Sequence, residues 1–329
     1  MRVPLSPGAL PAKHDLRSDR YRRFSRDRAC LPNLLEGKPV GMPTETVYGL
    51  AADATNSDAV ARLYAIKNRP NFNPLIAHVA TTEFARSEGV LDARVESLAK
   101  AFWPGPLTLV VPAHAEGHTC ELARAGLKTI ALRVPAHPVA QALLKAYNKP
   151  LAAPSANPSG QLSPTEAHHV ATEIGMGVAL VLDGGRCTAG IESTIVAVLP
   201  GEPLRLLRPG AIAREAIEAL VGALSSQTAA GITAPGQLDS HYAPRAQLRL
   251  QAQSAEYGEQ LLAFGPTGPS DAINLSPSGD LVEAAANLYR LLRQLDATGA
   301  RSIAVMPIPQ KGLGEAINDR LRRAAAPRS

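Results

Sequence analysis

Short apolar runs alternate with segments of helical periodicity along most of the chain. One such segment follows Asn56 or Ser57, either of which can cap a helix, and carries Val60, Leu63 and Tyr64 on one face. Up to residue 224 the pattern predicts interspersed strands and helices, which is typical of an α/β domain with a mixed sheet. The predicted strands are 39–42, 75–79, 107–111, 129–134, 178–182, 194–199 and 204–207. Further helices are predicted over 24–36, 95–103, 138–147 and about 213–224.

The segment Ser163-Pro164-Thr165-Glu166 predicts another helix start. Ser163 would be the N-cap, Pro164 the first helical residue and Glu166 the third, an arrangement that satisfies the free backbone N–H groups.

Beyond residue 224 the composition changes. Residues 225–245 are rich in Ser, Thr, Ala, Gly and Pro and predict a linker. A smaller second α/β unit is predicted from strands 261–264, 273–275 and 302–307 and helices 281–295 and 313–324. We therefore divide the chain into a basic flexible arm (1–23), a large α/β domain (24–224), the linker (225–245) and a small α/β C-terminal domain (246–329).

The net charge of +5 lies in the N-terminal arm. Residues 1–28 hold eight basic and three acidic side chains, whereas the other 301 residues hold 26 of each. A positive surface that binds nucleic acid needs basic groups spread over the folded body, so this distribution argues against such a surface there.

Three widely spaced cysteines, Cys30, Cys120 and Cys187, indicate neither a disulfide framework nor a Cys-x-x-Cys metal pair. The N-terminus has no apolar signal segment and no apolar run is long enough for a membrane span. We expect a cytoplasmic protein without a membrane partner.

Four cations lie at the ends of predicted elements: Lys67, Arg69, Arg133 and Arg208. Cations at a helix C-terminus also stabilise the helix dipole, and a strand-end arginine is commonly a solvated surface group. Because all four lie beside Pro or Gly turns, however, they are also well placed to bind phosphate or carboxylate.

Short hydrogen-bonding side chains complement these cations. Ser155 and Asn157 lie in a Pro-flanked turn, which ordinary turn chemistry would also explain. Ser163 could present its hydroxyl to an anion, and Ser193 follows a Gly-rich loop that permits close approach of a ligand. No Gly-x-x-x-x-Gly-Lys or Gly-x-Gly-x-x-Gly motif is present, so a nucleotide would be bound in another way.

Six motifs in order over residues 25–224 resemble the YrdC-like threonylcarbamoyl-AMP synthases. They are Pro43-Thr44-Glu45-Thr46-Val47-Tyr48-Gly49, Lys67-x-Arg69-Pro70 with Asn73-Pro74-Leu75 and His78, Leu132-Arg133-x-Pro135, Ser155-Ala156-Asn157, Ser193-Thr194-Ile195-Val196 and Arg208-Pro209-Gly210. Pro235-Gly236, His241-Tyr242-Ala243-Pro244 and the second α/β unit resemble the longer two-domain form. The resemblance implies a YrdC-like twisted mixed sheet with flanking helices and a small Rossmann-like C-terminal domain.

The resemblance also implies an activity, a nucleotidyl transfer. ATP, L-threonine and bicarbonate or carbon dioxide would give threonylcarbamoyl-AMP and pyrophosphate. A separate transferase complex would then pass the threonylcarbamoyl group to tRNA. Mg²⁺ would accompany ATP and be held mainly by the phosphates. Asn157 is the one side chain that could contribute, and no other side-chain metal ligand is expected.

Roles follow by motif position, as implications of the same resemblance. The residues expected to face ATP are Lys67, Arg69, Asn73, Ser155, Asn157, Ser163, Arg208 and Tyr242, of which Lys67, Arg69, Ser155 and Asn157 are expected to be catalytic. The threonine would be framed by Thr46, His78, Arg133 and Ser193, with Arg133 paired to its carboxylate. Thr44 would brace its loop, and Tyr242 on the linker would close over the pocket. Linker positions Gln237 to Ser240 depart from the more basic, Tyr-containing sequence of that form.

Two other functions remain open from the sequence. The first is an RNA-binding module of the same fold without catalysis, and the basic arm could contact tRNA weakly in either case. The second is the related carbamoyl-adenylate step of hydrogenase maturation, which usually belongs to a much longer chain with zinc-finger-like and acylphosphatase-like segments.

Overall fold

The computed structural model describes residues 21–22, 30–225, 234–236 and 241–327. Most of the basic arm, and the atypical linker positions from Gln237 to Ser240, therefore lie outside the described residues. Tyr21–Arg22, inside the predicted flexible arm, forms a short strand.

The first sheet contains ten strands in the order β1-β8-β2-β3-β7-β4-β6-β5-β9-β10. Its strands are β1 (Tyr21–Arg22), β2 (Val40–Met42), β3 (Gly49–Asp53), β4 (Ile76–His78), β5 (Leu107–Pro112), β6 (Thr129–Arg133), β7 (Leu151–Ala152), β8 (Leu180–Leu182), β9 (Thr194–Ala197) and β10 (Arg205–Arg208). Parallel pairs, such as β4 with β6, and antiparallel pairs, such as β5 with β6, occur together. The prediction of a mixed sheet is confirmed.

Helices pack against this sheet within the described ranges. They are α1 (Cys30–Leu35), α2 (Ser57–Lys67), α3 (Thr82–Glu88), α4 (Ala93–Phe102), α5 (Pro138–Tyr147), α6 (Ala167–Glu173) and α7 (Arg214–Val221). Asn56, one of the two predicted caps, is the N-cap of α2 and accepts hydrogen bonds from the backbone N–H groups of Asp58 and Ala59. No helix in the described ranges is long and apolar enough to cross a membrane.

The predicted start of a helix at Ser163 is wrong. Helix α6 begins at Ala167, with Glu166 as its N-cap residue. The preceding backbone is engaged elsewhere, since the carbonyls of Pro164 and Thr165 accept hydrogen bonds from the N–H groups of Tyr48 and Cys187. Ser163 is consequently held in the extended segment before the helix, and its hydroxyl donates to Glu192 instead.

The second sheet is parallel, with the strand order β11-β14-β12-β13. Its elements are β11 (Gln247–Arg249), β12 (Glu259–Ala263), β13 (Ile273–Asn274), β14 (Ser302–Val305), α8 (Leu281–Asp296) and α9 (Leu313–Ala325). The apolar core of this domain continues into the first domain, because Val47, Leu162 and Ile191 belong to the same buried cluster as Tyr289 on α8. The two domains therefore share one core at their junction.

Candidate functional site

A cavity lies on one face of the large sheet, beside the linker and the second domain. Ile76 and His78 are two residues apart on β4 and so point to the same face, and Arg133 on β6 pairs with His78 in register. The described linker residues Pro235, Gly236, His241 and Tyr242 complete the wall. Eight residues predicted from the sequence line the cavity: Thr46, Arg69, His78, Arg133, Ser155, Ser193, Arg208 and Tyr242.

Four other predicted residues are buried but do not line the cavity: Lys67, Asn73, Asn157 and Ser163. The ammonium group of Lys67 donates to the backbone carbonyls of Ser155 and Asn157, so that it supports the turn from behind. Burial, together with the charge of Arg69, holds the pKa of Lys67 well below its ordinary value. Lys67 therefore supports the geometry of the turn and offers no direct contact surface to the cavity.

Arg69 and Arg208 present buried guanidinium groups to the cavity. Arg69 donates to the carbonyls of Asn73 (3.3 Å) and Pro74 (3.1 Å), and burial lowers its pKa to about 10. Arg208 donates to the carbonyl and the hydroxyl of Ser193 at 2.9 and 3.1 Å. A register shift between Leu206 and Arg208 on β10 marks a bulge, a feature that commonly re-aims a side chain.

Lys67, Arg69 and Arg208 form no salt bridge with any carboxylate in the described part of the chain. Buried cations are normally paired, because an isolated buried charge is costly. Each of these three is hydrogen-bonded instead to neutral oxygens. The arrangement can accept a ligand that carries several negative charges.

Two buried amides add unused hydrogen-bonding capacity behind the cavity. Asn157 donates to the carbonyls of Pro158 and Gln161, both at 2.9 Å, while its Oδ1 has no partner among the described residues. Both side-chain polar atoms of Asn73 are likewise buried without a partner there. Such groups are rare in folded proteins and indicate positions that a ligand, an ion or a water could satisfy.

The loop between β2 and β3 contributes Glu45, which pairs with Arg133 in the site. Thr44 donates to the carbonyl of Val47 at 2.6 Å and accepts from its N–H, so that it braces the loop as predicted. Arg133 donates to the hydroxyl of Thr46 at 3.0 Å and to Glu45 at 2.7 Å. Burial would raise the pKa of Glu45, but the charge of Arg133 and its hydrogen bond lower it overall.

Two neutral imidazoles face the cavity. Burial, then the charge of Arg133, lowers the pKa of His78 to about 3. Burial, then the charge of Arg69, lowers the pKa of His241 to about 3 as well. His241 Nδ1 is buried without a hydrogen-bond partner in the described ranges. Both rings are uncharged at neutral pH and can exchange hydrogen bonds with a ligand.

Several site residues were not singled out from the sequence: Glu45, Thr108, Glu192 and His241. Glu45 and Glu192 lie within or beside the quoted motifs, between hydroxyl residues, which was the available signal. Thr108 is the second residue of the otherwise apolar strand β5, and its hydroxyl lies 2.7 Å from that of Ser193. Only the pairing of β5 with β9 brings these two residues together.

The described residues offer no group of three or more His, Cys, Asp or Glu side chains that could hold a metal ion. Two buried amide oxygens without a partner in the described ranges, Asn73 Oδ1 and Asn157 Oδ1, belong to residues whose backbone carbonyls accept hydrogen bonds from Arg69 and Lys67. Mg²⁺ prefers oxygen ligands and usually binds through substrate phosphates, a few protein oxygens and water. The residues fit an ion that is held chiefly by a bound polyphosphate.

The chain resembles characterised proteins over most of its length. A family model for Sua5, YciO and YrdC proteins, described as telomere recombination, matches residues 33–210. A second model, described as the C-terminal domain of threonylcarbamoyl-AMP synthase, matches residues 212–326.

Relatives named threonylcarbamoyl-AMP synthase occur in an archaeon and a bacterium. That of Pyrococcus abyssi is 40% identical, covering 88% of this chain and 91% of its own, and that of Bacillus subtilis is 39% identical, covering 90% and 91%. The crystal structure of P. abyssi Sua5 complexed with L-threonine superposes with a TM-score of 0.82 at 37% identity, covering 90% of this chain and 93% of that one. The chain belongs to the threonylcarbamoyl-AMP synthase family, in its two-domain form.

Proposed function

We propose that the protein is an L-threonylcarbamoyladenylate synthase, a nucleotidyltransferase that acts in the cytoplasm. It converts L-threonine, bicarbonate or carbon dioxide and ATP into threonylcarbamoyl-AMP and pyrophosphate. The observation that carries this proposal is a set of three buried cations, Lys67, Arg69 and Arg208, that have no carboxylate partner among the described residues. Arg69 and Arg208 line one cavity, and Lys67 holds the Ser155 turn in its wall. A triphosphate matches their charge.

The chemistry requires positioning and charge neutralisation rather than a covalent nucleophile. The threonine amine, as the free base, adds to carbon dioxide and forms a carbamate. A carbamate oxygen then forms a bond to the α-phosphorus while the bond from that phosphorus to the bridging oxygen of pyrophosphate breaks. Fixed cations that face the developing negative charge stabilise this displacement. Arg69 and Arg208 supply them from the cavity wall, and Lys67 supports the Ser155 turn from behind.

The threonine subsite is the region around Arg133. Thr46, His78, Arg133 and Ser193 all line the cavity. Arg133 is paired with Glu45, so the threonine carboxylate would share this guanidinium with Glu45 or displace that side chain. His78 is neutral and adds no charge of its own to this subsite.

Mg²⁺ would enter with ATP, with Asn157 Oδ1 as a protein ligand. When bound, the ion supplies neutralisation of phosphate charge. The product would pass to the transferase complex that modifies tRNA, and any tRNA contact through the basic arm involves residues outside the described ranges.

Pyrophosphate release tests the proposal. We expect the purified chain to release pyrophosphate only when ATP, threonine and bicarbonate are all present. Mass spectrometry should then detect threonylcarbamoyl-AMP. Turnover with carbamoyl phosphate in place of threonine would instead support the hydrogenase-maturation reaction. RNA binding without any turnover would support the binding module, which the formally neutral body of residues 29–329 does not favour.

A further inference from the structure

A buried polar cluster joins the second domain to the wall of the cavity. Arg320 on α9 donates through Nε to Glu192 at 2.7 Å and through Nη1 to Asp319 at 2.7 Å. The hydroxyl of Tyr289 on α8 contacts both oxygens of Glu192, at 3.0 and 2.9 Å. Arg320 is only 1% exposed. It is the largest fully buried side chain in the described ranges, which is unusual for an arginine.

Glu192 is a carboxylate in the same cavity as Arg208, one of the cations proposed to bind the polyphosphate. It lines the cavity with Arg208, and the backbone of its neighbour Ser193 accepts hydrogen bonds from the Arg208 guanidinium. Burial alone would raise the pKa of Glu192, but the charges of Arg320 and Arg208 and the hydrogen bonds from Ser163 and Arg320 lower it to about 2. Glu192 is therefore a full negative charge that forms its salt bridge with Arg320 and not with Arg208.

We propose that Arg320 is a positioning residue for the candidate site, which holds the Glu192 carboxylate away from Arg208 so that Arg208 stays available for the polyphosphate. Without the cation of Arg320, Arg208 is the other guanidinium whose charge acts on Glu192, and both residues line the cavity. A new pair between Glu192 and Arg208 would cancel one of the three charges that the ligand needs.

The same guanidinium also supports the linker. Its central carbon lies 4.9 Å from the centre of the Tyr242 ring, within the range of a cation–π interaction. Tyr242 has φ of 62°, a left-handed conformation that is uncommon for a bulky residue and persists only when the surroundings hold it. The N–H of Ala243 anchors the next residue on the carbonyl of Gly160 at 2.8 Å. Arg320 thus serves two parts of the cavity wall, Glu192 and Tyr242.

The inference rests on the proposed function only for its choice of ligand, so it is tested first by binding. We would measure pyrophosphate affinity by calorimetry for the full chain, for Arg320→Gln, and for Arg320→Gln combined with Glu192→Gln. Arg322→Gln on the same helix, whose side chain is 66% exposed, is the matched control. We expect at least a tenfold loss of affinity in Arg320→Gln, recovery to within about threefold of the wild type in the double variant, and no change in the control.

Recovery of pyrophosphate affinity in the double variant distinguishes a positioning role of Arg320 from a general loss of packing. If the cluster were merely structural, removing a second buried charged group from it would weaken binding further. Thermal melting verifies that each variant is folded. If Arg320→Gln does not fold, Arg320→Lys replaces it; this variant retains the charge but not the forked geometry, and we expect it to lose less than tenfold in affinity. Unchanged affinity in Arg320→Gln, or a double variant no better than the single one, would overturn the inference.

Kinetics distinguish this inference from the proposed function. If the wild type turns over, Arg320→Gln should raise the KM for ATP more than it lowers kcat. If the wild type binds pyrophosphate without turnover, the proposed function fails, while the binding cycle still decides the role of Arg320.

Discussion

Desolvation makes it unfavourable to bury the side chains of Lys67, Arg69 and Arg208. Each of them leaves water without gaining a carboxylate partner in the described ranges. Their pKa values are lowered, chiefly by burial. A protein retains such groups where function requires them, since stability alone would favour apolar or paired replacements. At the residue scale, these three cations are the strongest evidence for a polyanionic ligand.

A ligand that neutralises these charges should stabilise the folded chain. We expect saturating pyrophosphate or ATP to raise the melting temperature by roughly 4 °C, since a ligand at 100 times its Kd stabilises a chain of this length by about 2.7 kcal/mol. Arg69→Gln should lose most of this shift. Arg62→Gln is the control, because Arg62 is an exposed arginine on α2, the helix that ends just before Arg69. Equal shifts in both variants would contradict a polyanion site at Arg69.

The buried neutral His78 makes stability depend on pH. Its pKa falls from 6.5 to about 3 on folding, so between these values the unfolded chain binds a proton that the folded chain does not. Stability should therefore fall as pH drops below about 6.5, by at most ~1.4 kcal/mol per pH unit for this group. Urea unfolding of His78→Asn should show a shallower slope than the wild type. His241 contributes in the same direction, so some slope should remain.

At the scale of elements, the amphipathic helices were predictable from the sequence. Short helices and strands that are buried on both faces were not. The helix predicted over 138–147 is observed as Pro138–Tyr147, and that over 281–295 as Leu281–Asp296. Strand β3 was missed because all five residues of Gly49–Asp53 are buried, which removes the alternation that identifies a strand. Helix α3 is a seven-residue segment with few buried positions, too short for a periodic signal.

The end of helix α2 aims two of the cations. Asn68 adopts the left-handed conformation (φ of 49°), so that Lys67 and Arg69 leave the helix on either side of a sharp turn. Asn68→Gly should be nearly neutral for stability, whereas Asn68→Val should destabilise the fold by about 1–2 kcal/mol, because a β-branched residue disfavours this conformation. Chemical denaturation and pyrophosphate release check both variants. Equal behaviour of the two would mean that this turn does not position the cations.

At the scale of the whole molecule, the second domain belongs to the site rather than standing apart from it. Its helix α8 packs against the Gly-rich loop that precedes Ser193, and a Cβ on Gly190 would lie 2.5 Å from the Cα of Ala286. A salt bridge between Arg214 and Glu315 links α7 of the first domain to α9 of the second. The junction therefore brings the linker, Glu192 and Arg320 together.

Gly190→Ala should separate the two domains. The added methyl group would collide with the α8 backbone, and overpacking of this kind costs about 1–3 kcal/mol. Gly185→Ala provides the matched control, since Gly185 has a similar positive φ (80° against 71°) but nothing within 4 Å of the added methyl. We expect a lower melting temperature and faster proteolysis for Gly190→Ala than for Gly185→Ala. Equal melting temperatures would refute a tight junction.

The amino-acid sequence by itself determined the α/β class, most of the long helices and strands, and the family, because periodicity, capping residues and ordered motifs are local properties of the chain. It also identified eight residues that line the cavity. Only the tertiary structure decided that Lys67 supports a turn from behind, that Ser163 bonds to Glu192 instead of capping a helix, and that Arg320 from the second domain pairs with that carboxylate. These contacts join residues about 30 to 130 positions apart, and no local pattern encodes which buried charge meets which partner.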